Sequence, residues 1–426
     1  MTQAAARFGH KDASVARVVE QAGVSRATFY KHFTDKEACF LAAFESAAET
    51  FKAALERIEA EEDPSERGRV LLEDLLGSAA RDPAAAHIIL LDARAGGHEA
   101  RLAHERLMLH GVTTLERWMR VENGDGWRLE ISGRAVLEGM IGVLANRAFR
   151  GETPRLAQLH GGLLAWVFSY AARTDRPRVS PEDWRRLGAA CVGAASTTWT
   201  PPVVGRRLPR GRSALAPETV DGEHRERILY AMTQLTRRRI YTEISVADIV
   251  KEATVTREAF YHLFRSKEEA FLAAQSTGLE SSISVAAGGF FAGKSWPERV
   301  WGGLESLLAF TATQPDLIYL DVIESPAVGG AALRRSLDNL MAYTLFLEDG
   351  FRQGPHAERL PRLCSEAIAA SVLGMMRQVV CEGRTERLLE ILPQSAYVAL
   401  APFIGPAPAM ELVEAKVAAI AGTSTA

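Results

Sequence analysis

The feature that most limits what this chain can become is a stretch that occurs twice. "AGVSRATFYKHFTDKEACFLAAF", Ala22 to Phe44, returns as "ATVTREAFYHLFRSKEEAFLAAQ", Ala253 to Gln275. Met1-Thr2-Gln3 repeats as Met232-Thr233-Gln234, and Ser14-Val15-Ala16 as Ser245-Val246-Ala247, at an offset of 231 positions. Farther on the offset becomes 232, in Pro83 with Pro315, Gly142 with Gly374 and Gly151 with Gly383. Sparse matches that share one offset imply two copies of a single two-part unit, which settles the organisation before any finer reading. At 426 residues the chain is also too long for one core.

The local pattern is helical almost throughout. Ile228, Met232 and Leu235 recur at helical spacing. Ser14 and Ser245 are placed to cap the helices that follow them, and Asp248 completes a capping box with Ser245. Gly23 stands where the first of these helices must turn, a position that favours a residue tolerant of left-handed backbone. Ser25 then caps a short helix bearing "RATFYKHF". Thr34 with Glu37, and Ser266 with Glu269, read as boxes opening a longer helix. Helix, tight turn and short helix form a helix-turn-helix. The expected fold is all-α: two tandem units, each a three-helix head followed by a larger helical domain. The boundaries read as 1–46 (first head), 47–196 (first body), 197–222 (a linker rich in Pro, Gly and Arg), 223–275 (second head) and 276–422 (second body).

In a helix-turn-helix the N-terminal residues of the second helix meet base edges in the major groove. Here they are Ser25, Arg26, Ala27 and Thr28. Arg26 suits bidentate pairing with guanine, and Ala27 permits close approach. Tyr30, Lys31 and His32 are placed for backbone phosphates or outer base edges, although Tyr30 and His32 also fit half-buried packing. Lys36, in the first turn of the next helix, is a further phosphate candidate. The second copy offers Thr256, Arg257, Glu258, Tyr261, His262 and Lys267 at the same places. Phe29, Phe33 and Phe40 fall at core spacing.

"VARVVEQAGVSRATFYKHFTDKEACFLAAF" resembles the DNA-binding signature of the tetracycline-repressor (TetR) family, through Ala22-Gly23-Val24-Ser25, Thr28, Phe29-Tyr30, His32-Phe33 and Lys36-Glu37. The second copy resembles it less closely. The resemblance implies double-stranded operator DNA as partner, repression as the commonest mode, and a helical domain that dimerises and binds a small effector. Each copy departs from the pattern differently. Met1 aligns with Met232 inside a helix, so the first head is expected to have a stunted first helix or an upstream start. The second head has Thr254 at the glycine turn, where left-handed backbone costs about 1–2 kcal/mol. It also has Glu258 for Ala27, Ala259 for Thr28 and Leu263 for His32. Arg206, Arg207, Arg210 and Arg212 precede it and suit either a minor-groove arm or a solvated linker.

The remaining chemistry is read mainly by exclusion. A net charge of −3 does not advertise nucleic-acid binding, though a local basic surface suffices. Four cysteines without a CxxC pair imply neither zinc nor a disulfide framework, and no metal or cofactor is expected. The apolar run Gly161–Ala172 is too short to span a bilayer, and a cytoplasmic protein is expected. No phosphate loop, nucleophile elbow or HExxH occurs, so an enzyme is not expected. Trp118, Phe149 and Trp166 in the first body, and Tyr319, Phe346, Met375 and Met376 in the second, are candidate walls of an effector pocket. The leading expectation is a regulator whose two heads form an intramolecular pseudo-dimer, with a further homodimer open. The alternative is one working head, with the second copy as dimerisation or interaction scaffold.

Overall fold

The computed structural model describes residues 1–59, 64–119, 127–173, 179–192 and 217–423. The first head contains α1 (Thr2–Asp12), α2 (Val15–Ala22) and α3 (Arg26–His32), and α4 (Lys36–Glu59) leads out of it. The first body continues with α5 (Pro64–Arg81), α6 (Pro83–His87), α7 (His98–Met119), α8 (Gly133–Phe149), α9 (His160–Phe168) and α10 (Pro181–Ala189). A π-helical turn, Ile88–Asp92, follows α6. Two three-residue strands, β1 (Trp127–Leu129) and β2 (Ala171–Arg173), pair antiparallel beside α8 and α9. Among the described residues they are the only strands, and the fold is all-α as expected.

The second half repeats the order. Its head holds α11 (Pro217–Arg238), α12 (Val246–Ala253) and α13 (Arg257–Leu263). Its body holds α14 (Lys267–Ala292), α15 (Trp296–Thr313), α16 (Pro315–Tyr319), α17 (Ser325–Val328), α18 (Gly330–Tyr343), α19 (Pro355–Glu358), α20 (Leu363–Cys381), α21 (Leu392–Ile404) and α22 (Pro406–Thr423). A second π-helical turn, Leu320–Glu324, follows α16 at the register of the first. Helix α11 begins within the stretch read as linker, at Pro217. The rest of that stretch, with Arg206, Arg207, Arg210 and Arg212, lies outside the described residues. Helix α1 is shorter than α11 and breaks at Gly9, whose φ is +76°.

The caps explain most of these boundaries. Ser14 accepts the Arg17 N–H, and Ser25 accepts the Thr28 N–H. Ser245 and Asp248 form a reciprocal box. Gly23 takes the left-handed conformation at φ +66°, and Thr254 takes the same conformation at φ +55° despite its Cβ. One expected cap is corrected. The Ala38 N–H donates to Asp35 rather than Thr34 closing a box with Glu37, so α4 starts one residue later than Thr34 would have set it. Asp35 is then the register partner of Ser266, which accepts the Glu269 N–H to cap α14, while Glu269 accepts from the Arg265 N–H instead of closing the expected box.

The bodies share one hydrophobic core, which includes Leu76, Val143 and Trp166 of the first with Leu308, Val380 and Leu400 of the second. Its centre is the crossing of α8 and α20, which are each other's counterparts in the repeat. A Cβ on Gly142 would lie 2.3 Å from the Ala370 Cβ, and one on Gly374 would lie 2.5 Å from Glu138. The matched glycines, with Gly139, thus lie where the two helices pack closely. Ser371 donates to the Ala135 carbonyl at 2.6 Å, and Tyr170 to the Val398 carbonyl at 2.8 Å, both across the seam. By length and composition α20 is also apolar enough to cross a membrane, but 78% of its apolar window is buried inside the protein.

Candidate nucleic-acid interface

In the first head, Phe29 is the buried anchor of α3, packed with Ala4, Ala13, Val18, Val19 and Cys39. One buried ring per turn leaves the rest of the helix outward. Ser25, Arg26, Ala27, Thr28, Tyr30, Lys31 and His32 are all exposed. Tyr30 is 58% exposed and set edge-on to Phe29, which removes the half-buried packing reading. The Ser25 and Thr28 hydroxyls lie 3.0 Å apart, so each has a partner before DNA arrives. Helix α3 carries Arg26, Lys31 and His32 and no acid.

The second head has the same scaffold, with Phe260 buried and Thr256 capping α13. Thr256, Arg257, Glu258, Tyr261 and His262 are exposed. Its charges, however, are largely matched internally. His262 meets Asp221 of α11 at 3.2 Å, Arg238 meets Glu252 at 3.1 Å, and Arg239 meets Asp248 at 3.3 Å. In the first head the register partners of Asp248, Glu252 and Glu258 are Arg17, Gln21 and Ala27. The face that would meet phosphates is therefore basic in one head and mixed in the other. Sequence reasoning overlooked Arg17, which is exposed and donates to the Asp12 carbonyl at 2.7 Å. Setting it against Asp248 in the repeat would have found it.

Lys36 and Lys267 sit less freely than expected. The Lys36 ammonium donates to the His10 carbonyl at 2.7 Å, and burial lowers its pKa. The Lys267 ammonium donates to the Ile244 carbonyl at 2.7 Å and lies 4.3 Å from the Tyr241 ring centroid. Lys36 thus joins the end of α1 to the long helix behind it, and Lys267 joins the turn between α11 and α12 to α14.

Each head is also clamped to its body by a carboxylate at the end of a π-helical turn. The His10 N–H donates to Asp92 at 3.3 Å, and its counterpart, the Tyr241 N–H, donates to Glu324 at 2.9 Å. Glu324 further accepts from Arg101 of the first body at 3.0 Å. Lys11 of the first head meets Glu268 behind the second at 2.8 Å. The repeat aligns Asp92 with Glu324, a signal visible in the sequence and missed.

Two apolar hollows lie at matching places in the bodies, each of about 80 Å³. The first is walled by Leu75, Leu137, Met140 and Leu144, and the second by their counterparts Leu307, Ala369, Val372 and Met376. Both fall below the roughly 300 Å³ at which small-molecule sites usually begin. Of the candidate pocket walls, Phe346 and Met376 line the second hollow. The other five candidates are elsewhere. Trp118 lies against Gly68, and Phe149 lies under Arg334. Trp166 is fully buried against Gly139, Tyr319 lies under Arg237, and Met375 is core. Aromatic size alone does not distinguish a wall from a core.

The family model for bacterial regulatory proteins of the tetR family matches the chain at two places, residues 3–43 and 228–274. The family's DNA-binding domain is therefore present twice in this chain. Nucleoid occlusion factor SlmA of Vibrio vulnificus, in strains YJ016 and CMCP6, is 34% identical over 95 residues. That match covers 22% of this chain and 45% of the SlmA chain, so the chain spans about half the length of the curated relatives it matches. The two matched segments are the two helix-turn-helix heads described above. Among the described residues no group of His, Cys, Asp and Glu is arranged to hold a metal ion.

Proposed function

We propose that the chain is a transcriptional repressor that binds one operator with both heads as an intramolecular pseudo-dimer, through the base-facing residues of α3 and α13. The crossing of α8 with its own counterpart α20 carries this reading. It joins two halves of one chain in the way that identical subunits join about a two-fold axis. The Lys11–Glu268 and Arg101–Glu324 pairs support it, because one ties the first head to the helix behind the second and the other ties the first body to the carboxylate that holds the second head. Tethering gives the second head a millimolar effective concentration without a new contact. The differing faces of α3 and α13 call for an operator whose half-sites are not mirror images. Arg26→Ala relaxes preference in one half-site and Arg257→Ala in the other, each costing roughly 1–3 kcal/mol. Sizing of the protein–operator complex tests the stoichiometry: one chain per asymmetric site is expected. Two chains on a perfect palindrome, with Arg257→Ala silent, would sink the idea.

A second reading is favoured by the internally paired charges of the second head. In it the first head supplies most of the phosphate contacts and the second serves as scaffold. The salt dependence of operator binding separates the two, because the slope counts phosphates neutralised. Effector control is proposed with them. Its support is that the two hollows occupy the same register in both bodies, next to the π-helical turns that hold the heads. A ligand must widen such a hollow to fit, and it changes DNA affinity only if it binds the two states unequally.

A further inference from the structure

We propose that a small organic carboxylate with a short apolar body binds between the two halves, held by the Arg94 guanidinium. The site is a cavity of about 90 Å³ on the seam, distinct from the two hollows inside the bodies. Its walls come in repeat pairs: Leu90 with Val322, Ile141 with Leu373, and Gly142 with Gly374. The cavity therefore lies on the axis that relates the halves. Its polar groups break that symmetry. At the repeat positions of Arg94, Glu138 and Arg377 stand Pro326, Ala370 and Ala145, so each of these polar residues has an apolar counterpart on the wall. Two identical subunits would present every such group twice. A fused and diverged repeat presents each once, which suits a ligand that has no symmetry of its own.

Arg94 is the group without an assignment. Among the described residues it makes no hydrogen bond and no ion pair, and its Nε is fully buried without a partner. Burial, with Arg377 close by, brings its pKa down to about 10, so it stays charged at neutral pH. The nearby acids are already engaged. Glu138 is bonded to Arg377 and lies 3.5 Å from Arg134, while Glu105 lies 3.3 Å from Arg377. His104, also on the wall, has its pKa lowered by burial and brings no full charge. Arg94 is half-buried, with its Nε shielded and unpartnered; a shielded cation left unpaired is costly, and a guanidinium offers two parallel N–H groups that match one carboxylate. The apolar walls select a monoanion with a hydrocarbon body over a strongly hydrated inorganic ion.

The test uses the full chain, with acetate, propionate and butyrate as probes and propionamide, butyramide and sodium chloride as controls. Calorimetric titration and thermal unfolding are expected to show saturable binding of propionate and butyrate, with the amides and chloride inert at equal ionic strength. Arg94→Met should weaken that binding at least roughly tenfold, the share of a charge-assisted hydrogen bond. Without ligand it should melt no lower than the parent, because it removes an unpaired shielded cation. Val322→Phe, which fills the cavity and leaves Arg94 in place, should also abolish binding. Equal binding by Arg94→Met, equal binding of the amides, or no saturable response to any carboxylate each overturns the proposal. None of these readouts involves DNA, so the outcome is independent of the repressor reading.

Discussion

Asp92 offers the sharpest test of how the first head is held. The residue is 5% exposed, and the clamp to the His10 N–H satisfies Oδ1 while Oδ2 is buried without a hydrogen bond. Burial pushes the carboxyl from 3.8 up to about 7, against the opposing pull of the His10 N–H and Lys36. His87 lies 3.5 Å away, and burial lowers its own pKa. Between the two pKa values the folded protein holds a proton that the unfolded chain has released. Stability therefore falls as pH rises from about 4 to 7 and levels off above that. The interval of about three pKa units corresponds to roughly 4 kcal/mol, an upper bound that local relaxation reduces. Asp92→Asn keeps an oxygen for the His10 N–H and removes the buried charge. The variant should match the parent near pH 3 and gain steadily through pH 4–7, reaching a few kcal/mol at pH 8. Amide hydrogen exchange of the segments holding His10 and Asp92 reads this locally. The ratio of variant to parent at each pH cancels the intrinsic pH dependence of exchange. A difference that does not change with pH, or an Asn variant less protected at pH 8, would refute the argument.

Three further outcomes follow from the same contacts. In a double-mutant cycle on Arg101 and Glu324, the coupling in urea unfolding should be about 0.5–3 kcal/mol. Glu324→Ala alone should cost about 3–5 kcal/mol, because it strands a buried N–H and a guanidinium. Thr254→Gly should stabilise the second head by up to about 1 kcal/mol and Gly23→Thr should weaken the first by at least as much, since both positions are left-handed. Hydrogen exchange of α12 and α2 measures each. Gly142→Val should lower the urea midpoint of the whole chain by the equivalent of about 1–3 kcal/mol or more, since its Cβ meets Ala370 at 2.3 Å. An unchanged midpoint would show that the helices can separate there without penalty.

The sequence by itself determined what is local or repeated. Caps at Ser14, Ser25, Ser245 and Ser266, the turn at Gly23 and the outward face of α3 depend on neighbours within a few residues, so their chemistry is written in order along the chain. The repeat added the pairing of halves, because two copies at one offset must share one fold. Reading failed where the deciding partner was distant. Nothing near Lys36 or Lys267 announces that each ammonium ends on a carbonyl some 25 residues earlier. Asp35 rather than Thr34 caps α4, because the preceding backbone is extended through Phe33 and only the folded geometry fixes which oxygen reaches the Ala38 N–H. The contrast between core and cavity was equally hidden: Trp166 and Phe346 look alike in sequence, and only packing buries one completely and leaves the other beside a hollow. Tertiary structure also decided the seam. Gly142 and Gly374 were visible as a matched pair, but that they mark a close crossing, with Arg94 left unpaired beside it, depends on burial and on residues hundreds of positions apart, which no local pattern encodes.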